Sequence, residues 1–184
     1  MNKKGCGWEY SSDLMIKYHN ERWCKVIKDE DELFAMLILE AMQAGLSWSC
    51  VIKKEEAIRK TFKDLRPEKV LLMTQEEIDK AYENKEIIRN KRKIDAIFTN
   101  AKAFLKIEEE FGSFYNYIWN FTEAKTIDHK LEKLEDMPAN NELSDLISKD
   151  LKKRGFKFVG STIIYSYLQS IGVINDHLIS CAYR

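Results

Sequence analysis

The sequence predicts an all-α protein, and three observations lead to this prediction. Its 184 residues are 45% hydrophobic and 33% charged, with only two prolines and seven glycines, which is typical of a helix-rich globule. Capping residues recur along the chain ahead of apolar residues at helical spacing. No segment alternates apolar and polar residues as a half-buried strand does. We expect one domain over residues 1–184, which could divide into two helical lobes with residues 144–172 in one of them.

The first half of the chain contains four predicted helices. Residues 29–45 begin with acids, carry apolar residues on most faces and end at Gly45, a pattern that describes a buried helix with a glycine cap. The other three starts are marked by capping residues or by a first-turn proline: Ser47 for residues 48–62, Pro67 for residues 67–73, and Thr74 with Glu77 for residues 75–84.

The second half contains four more predicted helices and one long loop. Residues 89–112 place apolar side chains at helical spacing and stop at Gly112. Residues 122–142 show little periodicity and are predicted to form a loop crossing. Serines mark the other helix starts: Ser113 for residues 114–121, Ser144 for residues 145–155, and Ser161 for residues 162–172.

Charge and hydropathy exclude several classes of protein. The formal net charge is zero, so a nucleic-acid partner would have to be held by a local basic patch. No apolar run approaches the roughly 18 residues of a membrane span, and the lysine-containing start, residues 1–10, lacks the apolar core of a secretory signal. We therefore expect a cytoplasmic monomer, in which the four cysteines serve as thiols or metal ligands rather than in disulfides.

Cysteine and histidine residues are paired near both ends of the chain. Cys6 and His19 are close to the start, whereas His177 and Cys181 form an i, i+4 pair near the end. Residues at this spacing lie on one face of a helix, and two cysteines with two histidines suit a closed tetrahedral zinc site. Such a site would clamp the two termini together. The spacing alone leaves open that the four residues are unrelated.

A glutamate and several aromatic residues form a second candidate site. Glu40 lies among apolar residues, where an ionised carboxylate is costly unless it is paired or functional. Trp8, Tyr18, Trp23 and Trp48 are concentrated in the first quarter of the chain, and together with a carboxylate they could bind a flat cationic ring. The sequence also allows the plainer alternative of core aromatics and a glutamate on the exposed face of its helix.

The turn before residue 161 carries a third candidate site. Lys153 and Lys157 flank Gly155, while Gly160 and Ser161 begin the next helix, so backbone amides and lysines could together hold a nucleic-acid backbone. An ordinary helical hairpin with a solvated basic end is the alternative. Residues 89–93 form a second basic stretch, placed unfavourably for the dipole of the helix that they begin.

Six segments together resemble one known family. They are "CGW", "YHNERW", "LEAMQAGLSW", "IIRNKRKIDAI", "LKKRGFKFVGSTI" and "NDHLISC", which occur in order from Cys6 to Cys181. The chain closely resembles bacterial DNA-3-methyladenine glycosylase I, an all-α family of the helix-hairpin-helix glycosylase superfamily whose zinc links the two termini. The resemblance implies a single structural zinc held by Cys6, His19, His177 and Cys181.

The resemblance also implies roles in base and DNA binding. Glu40 would read the damaged base and could assist the reaction as the catalytic carboxylate, and the aromatic walls would be Trp8, Tyr18, Trp23 and Trp48. The DNA-backbone contacts would come from the hairpin: Lys153, Gly155, Lys157, Gly160 and Ser161. Family members often have an acid, an acid, glycine and proline where this chain has Asn20, Arg22, Cys24 and Val26.

The implied activity is monofunctional, hydrolytic excision of 3-methyladenine flipped out of double-stranded alkylated DNA, the first step of base excision repair. Because the family lacks the catalytic aspartate of related branches, Asp176 is instead expected to support the zinc site. One alternative is a non-enzymatic, zinc-clamped module that binds damaged DNA. Another is a helical protein-interaction domain that does not bind nucleic acid.

Overall fold

The computed structural model describes residues 4–184 and consists mainly of helices. The expectation about a secretory signal rests in part on residues 1–3, which lie outside the described residues. Within residues 4–184 the α-helices are α1 (Asp13–Glu21), α2 (Glu30–Gln43), α3 (Trp48–Ile52), α4 (Glu55–Thr61), α5 (Pro67–Leu71), α6 (Gln75–Glu83), α7 (Lys91–Phe111), α8 (Phe114–Asn120), α9 (Glu142–Lys153) and α10 (Ser161–Ser170). Three short 3-10 helices cover Trp8–Ser11, Lys63–Leu65 and Leu134–Asp136. The predicted all-α class is confirmed.

Helix α2 lies at the centre of the molecule. Every residue from Leu33 to Met42 is buried, and the helix packs against α3, α7, α8 and α10. A helix that is apolar on all sides finds no stable position at a surface, so the sequence of α2 requires this enclosure. Asp29 caps its first turn by accepting a hydrogen bond from the Glu32 amide. The helix therefore carries residue 40 into the interior.

Most predicted caps of the other helices are confirmed. Thr74 and Glu77 form a capping box at the start of α6, and Ser113 caps α8. Gly112 ends α7 with φ +79°, a left-handed conformation in which a side chain would be strained. Pro67 occupies the first turn of α5, where its missing N–H costs no hydrogen bond.

Two of the predicted caps are wrong. Asn141, not Ser144, is the N-cap of α9, and Ser144 completes a reciprocal capping box from the third helical position. Helix α10 begins at Ser161, and Gly160 occupies its N-cap position without a side-chain bond. The hydroxyls of Ser144 and Ser161 instead lie 2.8 Å apart and join the two helices. Both serines thus take part in a tertiary contact, and neither is the N-cap that the sequence predicts.

Two further differences arise from long-range contacts. The helix predicted over residues 48–62 is interrupted at Lys53–Lys54, where the Lys54 ammonium donates to the backbone carbonyls of Lys85 and Glu86. Ile127–Asp128 and Ile174–Asn175 pair as two-residue parallel strands, β1 and β2, in a chain that was predicted to have no strand. Strands this short cannot show alternation, so only the fold reveals their pairing. The rest of the predicted loop is irregular apart from the 3-10 helix at Leu134–Asp136.

No helix within residues 4–184 is both long enough and apolar enough to cross a bilayer.

Candidate active site

Glu40 lies in the wall of a cavity rather than on the exposed face of its helix. Its side chain is buried, with 2% relative exposure, and its Oε2 has no hydrogen-bond partner among the described residues. The aromatic residues predicted to accompany it, Trp8, Tyr18, Trp23 and Trp48, line the same cavity of about 240 Å³. We call this space the aromatic cavity. Of the two readings of Glu40 that the sequence allows, the structure supports the buried one.

The four aromatic side chains reach the aromatic cavity from different elements. Trp8 belongs to the first 3-10 helix, Tyr18 to α1, Trp23 follows α1, and Trp48 begins α3. The rings of Trp8 and Trp23 have centroids 5.0 Å apart, and those of Tyr18 and Trp48 lie 5.1 Å apart. These edge-on and tilted contacts fix each ring through its neighbour. The walls are therefore rigid, mainly apolar and rich in π electrons.

Electrostatics distinguish the aromatic cavity from the rest of the core. Burial raises the pKa of Glu40 to about 8, because no cation stabilises the ionised form. Burial also raises the pKa of Tyr18 well above its usual value, and Glu40 adds to the effect. The indole nitrogens of Trp8 and Trp48 have no acceptor among the described residues. A positively charged ligand that has both hydrogen-bond donors and acceptors would satisfy the Glu40 carboxylate and the two indole N–H groups.

Six residues of the cavity wall were not predicted from the sequence: Met15, Gln43, Leu134, Met137, Ser166 and Gln169. Gln43 lies one helical turn after Glu40, so the helical repeat of α2 was the signal that could have found it. Leu134 and Met137 come from the loop that precedes α9, and no periodicity connects that loop to α2. Ser166 and Gln169 lie on α10 and reach the cavity through the packing of α10 against α2.

One of the positions where the sequence departs from the family pattern contacts Tyr18. The Arg22 guanidinium lies 5.5 Å from the centre of the Tyr18 ring and bonds both carboxylate oxygens of Glu55, at 2.7 and 2.9 Å. Cys24 adopts φ +59°, a conformation that glycine takes without strain. Val26 is exposed. Arg22 thus braces the outer side of a wall residue and does not line the aromatic cavity.

The structure brings the two terminal Cys/His pairs together. Cys6, His19, His177 and Cys181, which we call the Cys/His cluster, are all buried, and their ligand atoms lie within 4.8 Å of one another. The Cys6 and Cys181 sulfurs are 3.5 and 3.4 Å from His177 Nδ1, and the Cys181 sulfur is 3.7 Å from His19 Nε2. Sulfur and nitrogen ligands of a tetrahedral zinc stand about 3.6 Å apart, given Zn–S near 2.3 Å and Zn–N near 2.0 Å.

Hydrogen bonds around the Cys/His cluster orient its ligand atoms. His19 Nδ1 is 2.7 Å from the side-chain oxygen of Asn20, and His177 Nε2 is 3.3 Å from the Trp23 carbonyl, which leaves the other ring nitrogens free for a metal. The amides of Leu178 and Tyr183 donate to the two cysteine sulfurs, at 3.4 Å each. Donor set, distances and supporting bonds fit a closed zinc site.

Asp176 does not support the Cys/His cluster, contrary to expectation. Its carboxylate is fully buried and lies 2.6 Å from His129 Nδ1, and it accepts hydrogen bonds from Tyr165 and from Gln169. The adjacent His177 ring turns towards the cluster, so neighbours in sequence serve different sites. Cys24, Cys50 and His129 lie outside this cluster in the part of the chain that the structure describes.

The predicted DNA-backbone residues lie in the turn between α9 and α10. Gly155 has φ +95°, which lets the chain reverse after α9, and the side chains of Lys153 and Lys157 are exposed. Gly160 and Ser161 begin α10, whose first amides have no acceptor within the helix. The Lys157 amide is already occupied, because it donates to Asn100 at 2.8 Å. What this turn presents outwards is lysine charge and the start of α10.

Two other basic residues near these sites have structural roles. Arg154 pairs with Glu110 and Asp150 and lies 5.0 Å from the centre of the Phe111 ring. In the stretch 89–93, the ammonium of Lys93 is turned inwards and donates to the carbonyls of Met42 and Ala44, at 2.9 and 2.7 Å. Lys93 thereby caps the end of α2, which explains why a lysine is tolerated in the first turn of α7.

The chain is similar to several known proteins. A family model described as Methyladenine glycosylase matches residues 8–184. DNA-3-methyladenine glycosylase 1 of Escherichia coli (strain K12) is 41% identical over 176 residues, which are 96% of this chain and 94% of that protein. A crystal structure of 3-methyladenine DNA glycosylase I has a TM-score of 0.93 at 39% identity, covering 97% of this chain and 98% of its own. A variant of 3-methyladenine DNA glycosylase I in complex with 3-methyladenine has a TM-score of 0.93 at 34% identity, covering 100% of this chain and 97% of its own.

Matches that extend over nearly the whole of both chains establish the class of protein, which is that of the DNA glycosylases. More particularly, the chain belongs to the methyladenine glycosylase family. Membership of an enzyme family contradicts the two alternatives of a non-enzymatic DNA-binding module and a protein-interaction domain.

Proposed function

We propose that this chain excises 3-methyladenine from alkylated double-stranded DNA by hydrolysis, as a monofunctional enzyme that begins base excision repair. The observation that carries the proposal is the carboxyl group of Glu40, which is buried without a counter-charge in the wall of the aromatic cavity. An enzyme keeps such a costly group where a ligand supplies the missing partner.

Charge provides the basis of selection. Adenine methylated at N3 in DNA is cationic, whereas normal adenine is neutral. A cation between indole and phenol rings gains about 1–2 kcal/mol when it is desolvated. Its charge also favours the ionised form of Glu40, whose pKa burial has raised to about 8, so that base and carboxylate stabilise each other. Neutral adenine gains neither the cation–π interaction nor the attraction to ionised Glu40.

The chemical step needs little further activation. A flipped nucleotide places its base in the aromatic cavity, at a cost that is lower for a poorly paired base. When the bond between C1′ and the base breaks, its electron pair neutralises the base and leaves an oxocarbenium-like sugar, which water attacks. Glu40 is the one carboxyl group among the described residues that line the cavity and is therefore the candidate acceptor for the proton of that water. No lysine lines the cavity within the described chain, so a Schiff base and strand cleavage are not expected.

The turn between α9 and α10 is the proposed grip on the DNA backbone, in the manner of a helix-hairpin-helix motif. Lys153 and Lys157 are exposed there, and the first amides of α10 are available to phosphate oxygens. Gly155 and Gly160 keep the turn free of side chains that would hold a phosphate away. These contacts depend on charge and backbone geometry, so they would hold damaged and undamaged duplexes alike.

The Cys/His cluster is the proposed site of one structural zinc ion per chain. Cys6, His19, His177 and Cys181 would fill all four tetrahedral positions, which leaves no place for a substrate or a reactive water. Zinc in such a site contributes folding energy only. We further expect the enzyme to act as a monomer in the cytoplasm.

Base release from methylated duplex DNA tests the proposal. Purified protein is incubated with a duplex treated with a methylating agent, and the released bases are separated and identified by mass spectrometry. We expect free 3-methyladenine, with the DNA strand left unbroken until the abasic sites are cleaved chemically. Binding of the methylated duplex without any base release would refute the proposed activity. Strand breaks formed by the protein itself would refute only its monofunctional character.

A further inference from the structure

Gln169 enters the aromatic cavity from α10 in an orientation that the fold determines. Its carbonyl accepts a hydrogen bond from the Cys24 amide at 3.0 Å, which ties the end of α10 to the chain beside Trp23. Its side-chain Nε2 lies 2.7 Å from an oxygen of Asp176 and 3.4 Å from the sulfur of Met137. The backbone carbonyl and the side-chain nitrogen are therefore both held by other parts of the chain.

The partners of Asp176 determine which end of the Gln169 amide faces it. The same Asp176 oxygen accepts a hydrogen bond from the Tyr165 hydroxyl at 2.5 Å, and the other oxygen lies 2.6 Å from His129 Nδ1. Turning the amide over would bring its oxygen within 2.7 Å of a carboxylate oxygen, with no proton between two acceptors. The nitrogen of Gln169 consequently faces Asp176, and both of its N–H groups have an acceptor.

The amide oxygen is the part of Gln169 that remains available. Gln169 is buried, with 6% relative exposure, and its Oε1 accepts no hydrogen bond within residues 4–184. Gln169 lines the aromatic cavity, so this unbonded oxygen is the acceptor that the residue can offer to a ligand there.

We infer that Gln169 is a specificity-determining residue, whose fixed amide oxygen selects bases that carry an exocyclic amino group over bases that carry a carbonyl there. The inference rests on the proposed excision of 3-methyladenine. An amino group has two N–H bonds, and Glu40 and Gln169 give the cavity two acceptors for them. A carbonyl at the same position would place its oxygen against the Gln169 amide oxygen. Both atoms are acceptors, so neither would gain a hydrogen bond. Asp176 acts as a positioning residue, because it keeps the amide from turning over.

A comparison of two free bases tests this inference without DNA. The probes are 3-methyladenine and 3-methylhypoxanthine. The second base has a carbonyl in place of the amino group and carries one additional ring N–H. Their dissociation constants are measured by calorimetry for the parent protein, for Gln169→Met and for Gln75→Met. The methionine keeps the length of the side chain but has no strong acceptor. Gln75→Met is the matched control, because it makes the same change at an exposed position of α6 that does not line the aromatic cavity.

We expect the parent to prefer 3-methyladenine and Gln169→Met to lose about 3- to 10-fold of that preference, the effect of one hydrogen bond. Gln75→Met should keep the preference of the parent. An unchanged ratio in Gln169→Met would overturn the inference. If that variant does not fold, the parent protein alone tests the inference, because equal affinity of the parent for the two bases would also overturn the inference. Failure of the parent to release 3-methyladenine from methylated DNA is a separate result, which would refute the proposed function.

Discussion

The Cys/His cluster and the aromatic cavity are adjacent polar sites that differ in whether their polar atoms have hydrogen-bond partners. Trp23 belongs to both, because it lines the aromatic cavity and its ring centre lies 4.7 Å from that of His177. Around the cluster, both imidazoles and both sulfurs have a hydrogen-bonding neighbour from the chain. In the cavity, Glu40 Oε2 and the indole nitrogens of Trp8 and Trp48 have no such neighbour within residues 4–184.

This difference is the one we expect if the Cys/His cluster is structural and the aromatic cavity binds a ligand. A buried polar group without a partner costs about 1–3 kcal/mol, so the cluster is arranged to lower the free energy of the fold. In the aromatic cavity this cost remains in the free protein, and a ligand that supplies the missing partners removes it on binding. Disturbing the cluster should therefore cost stability, whereas disturbing the cavity should cost activity and leave stability intact or improved.

The largest expected effect follows from removing a cluster ligand. Cys181→Ala should lose the bound zinc and unfold at a much lower urea concentration, because structural zinc contributes roughly 10–16 kcal/mol in zinc-finger peptides. Cys50→Ala is the matched control, since this half-buried thiol is outside the cluster. Metal analysis should give about one zinc per chain for the parent and the control. A parent protein that is metal-free and fully stable would contradict the assignment.

The second expected effect is that replacing the buried Glu40 becomes stabilising as the pH rises, whereas replacing a buried group usually lowers stability. Burial raises the pKa of Glu40 from 4.5 to about 8, so between these pH values the native state holds a proton that the unfolded chain has released. The contribution of Glu40 to stability is complete below pH 4.5 and is lost as the pH rises through 8. Relative to Glu40→Gln, the parent should lose on the order of 2–4 kcal/mol between pH 5 and pH 8.5.

Urea unfolding of both proteins at several pH values measures this loss. Contributions from other titrating groups cancel when the two proteins are compared at each pH. Parallel stability curves would show that Glu40 already has a partner for its charge, and the contrast between the two sites would fail.

Glu40→Gln should have a smaller effect on excision than the loss of a general base has on most enzymes. General acid–base groups contribute about 10²–10⁴-fold, but the cationic substrate already has an activated leaving group. We expect excision of 3-methyladenine to fall by less than about 100-fold and affinity for undamaged duplex to stay unchanged. Glu109→Gln, an exposed change on α7, is the control. Unchanged excision together with unchanged binding of free 3-methyladenine would remove Glu40 from the site.

The sequence predicts those features of the fold that are decided within a few residues. The capping box of Thr74 and Glu77 and the end of α7 at Gly112 depend on local geometry, and both are confirmed. The interruption at Lys53–Lys54 was missed, because it accompanies contacts to Lys85 and Glu86 some thirty residues later. Such contacts leave no periodic trace in the sequence.

The two sites show the same limit. The i, i+4 spacing joins His177 to Cys181, but nothing local brings His19 across the fold to them. Glu40 could not be placed from α2 alone, because a helix that is apolar on most faces does not show which face is enclosed. The packing of α7 and α10 decides that question, and it also brings Gln169 into the cavity. The family resemblance indicated the sites because it carries this long-range information.

The smallest expected effect belongs to the turn between α9 and α10, which lies outside both sites. Lys153 and Lys157 are exposed, and replacing both with alanine should remove up to two phosphate contacts and lower the slope of log affinity against log salt by up to about 2. Because such contacts carry no sequence information, damaged and undamaged duplexes should lose affinity equally. Lys60 and Lys69, exposed on α4 and α5, provide a control pair with the same loss of charge. A selective loss for methylated duplex would mean that the turn takes part in reading the base, a task that the contrast between the two sites assigns to the aromatic cavity alone.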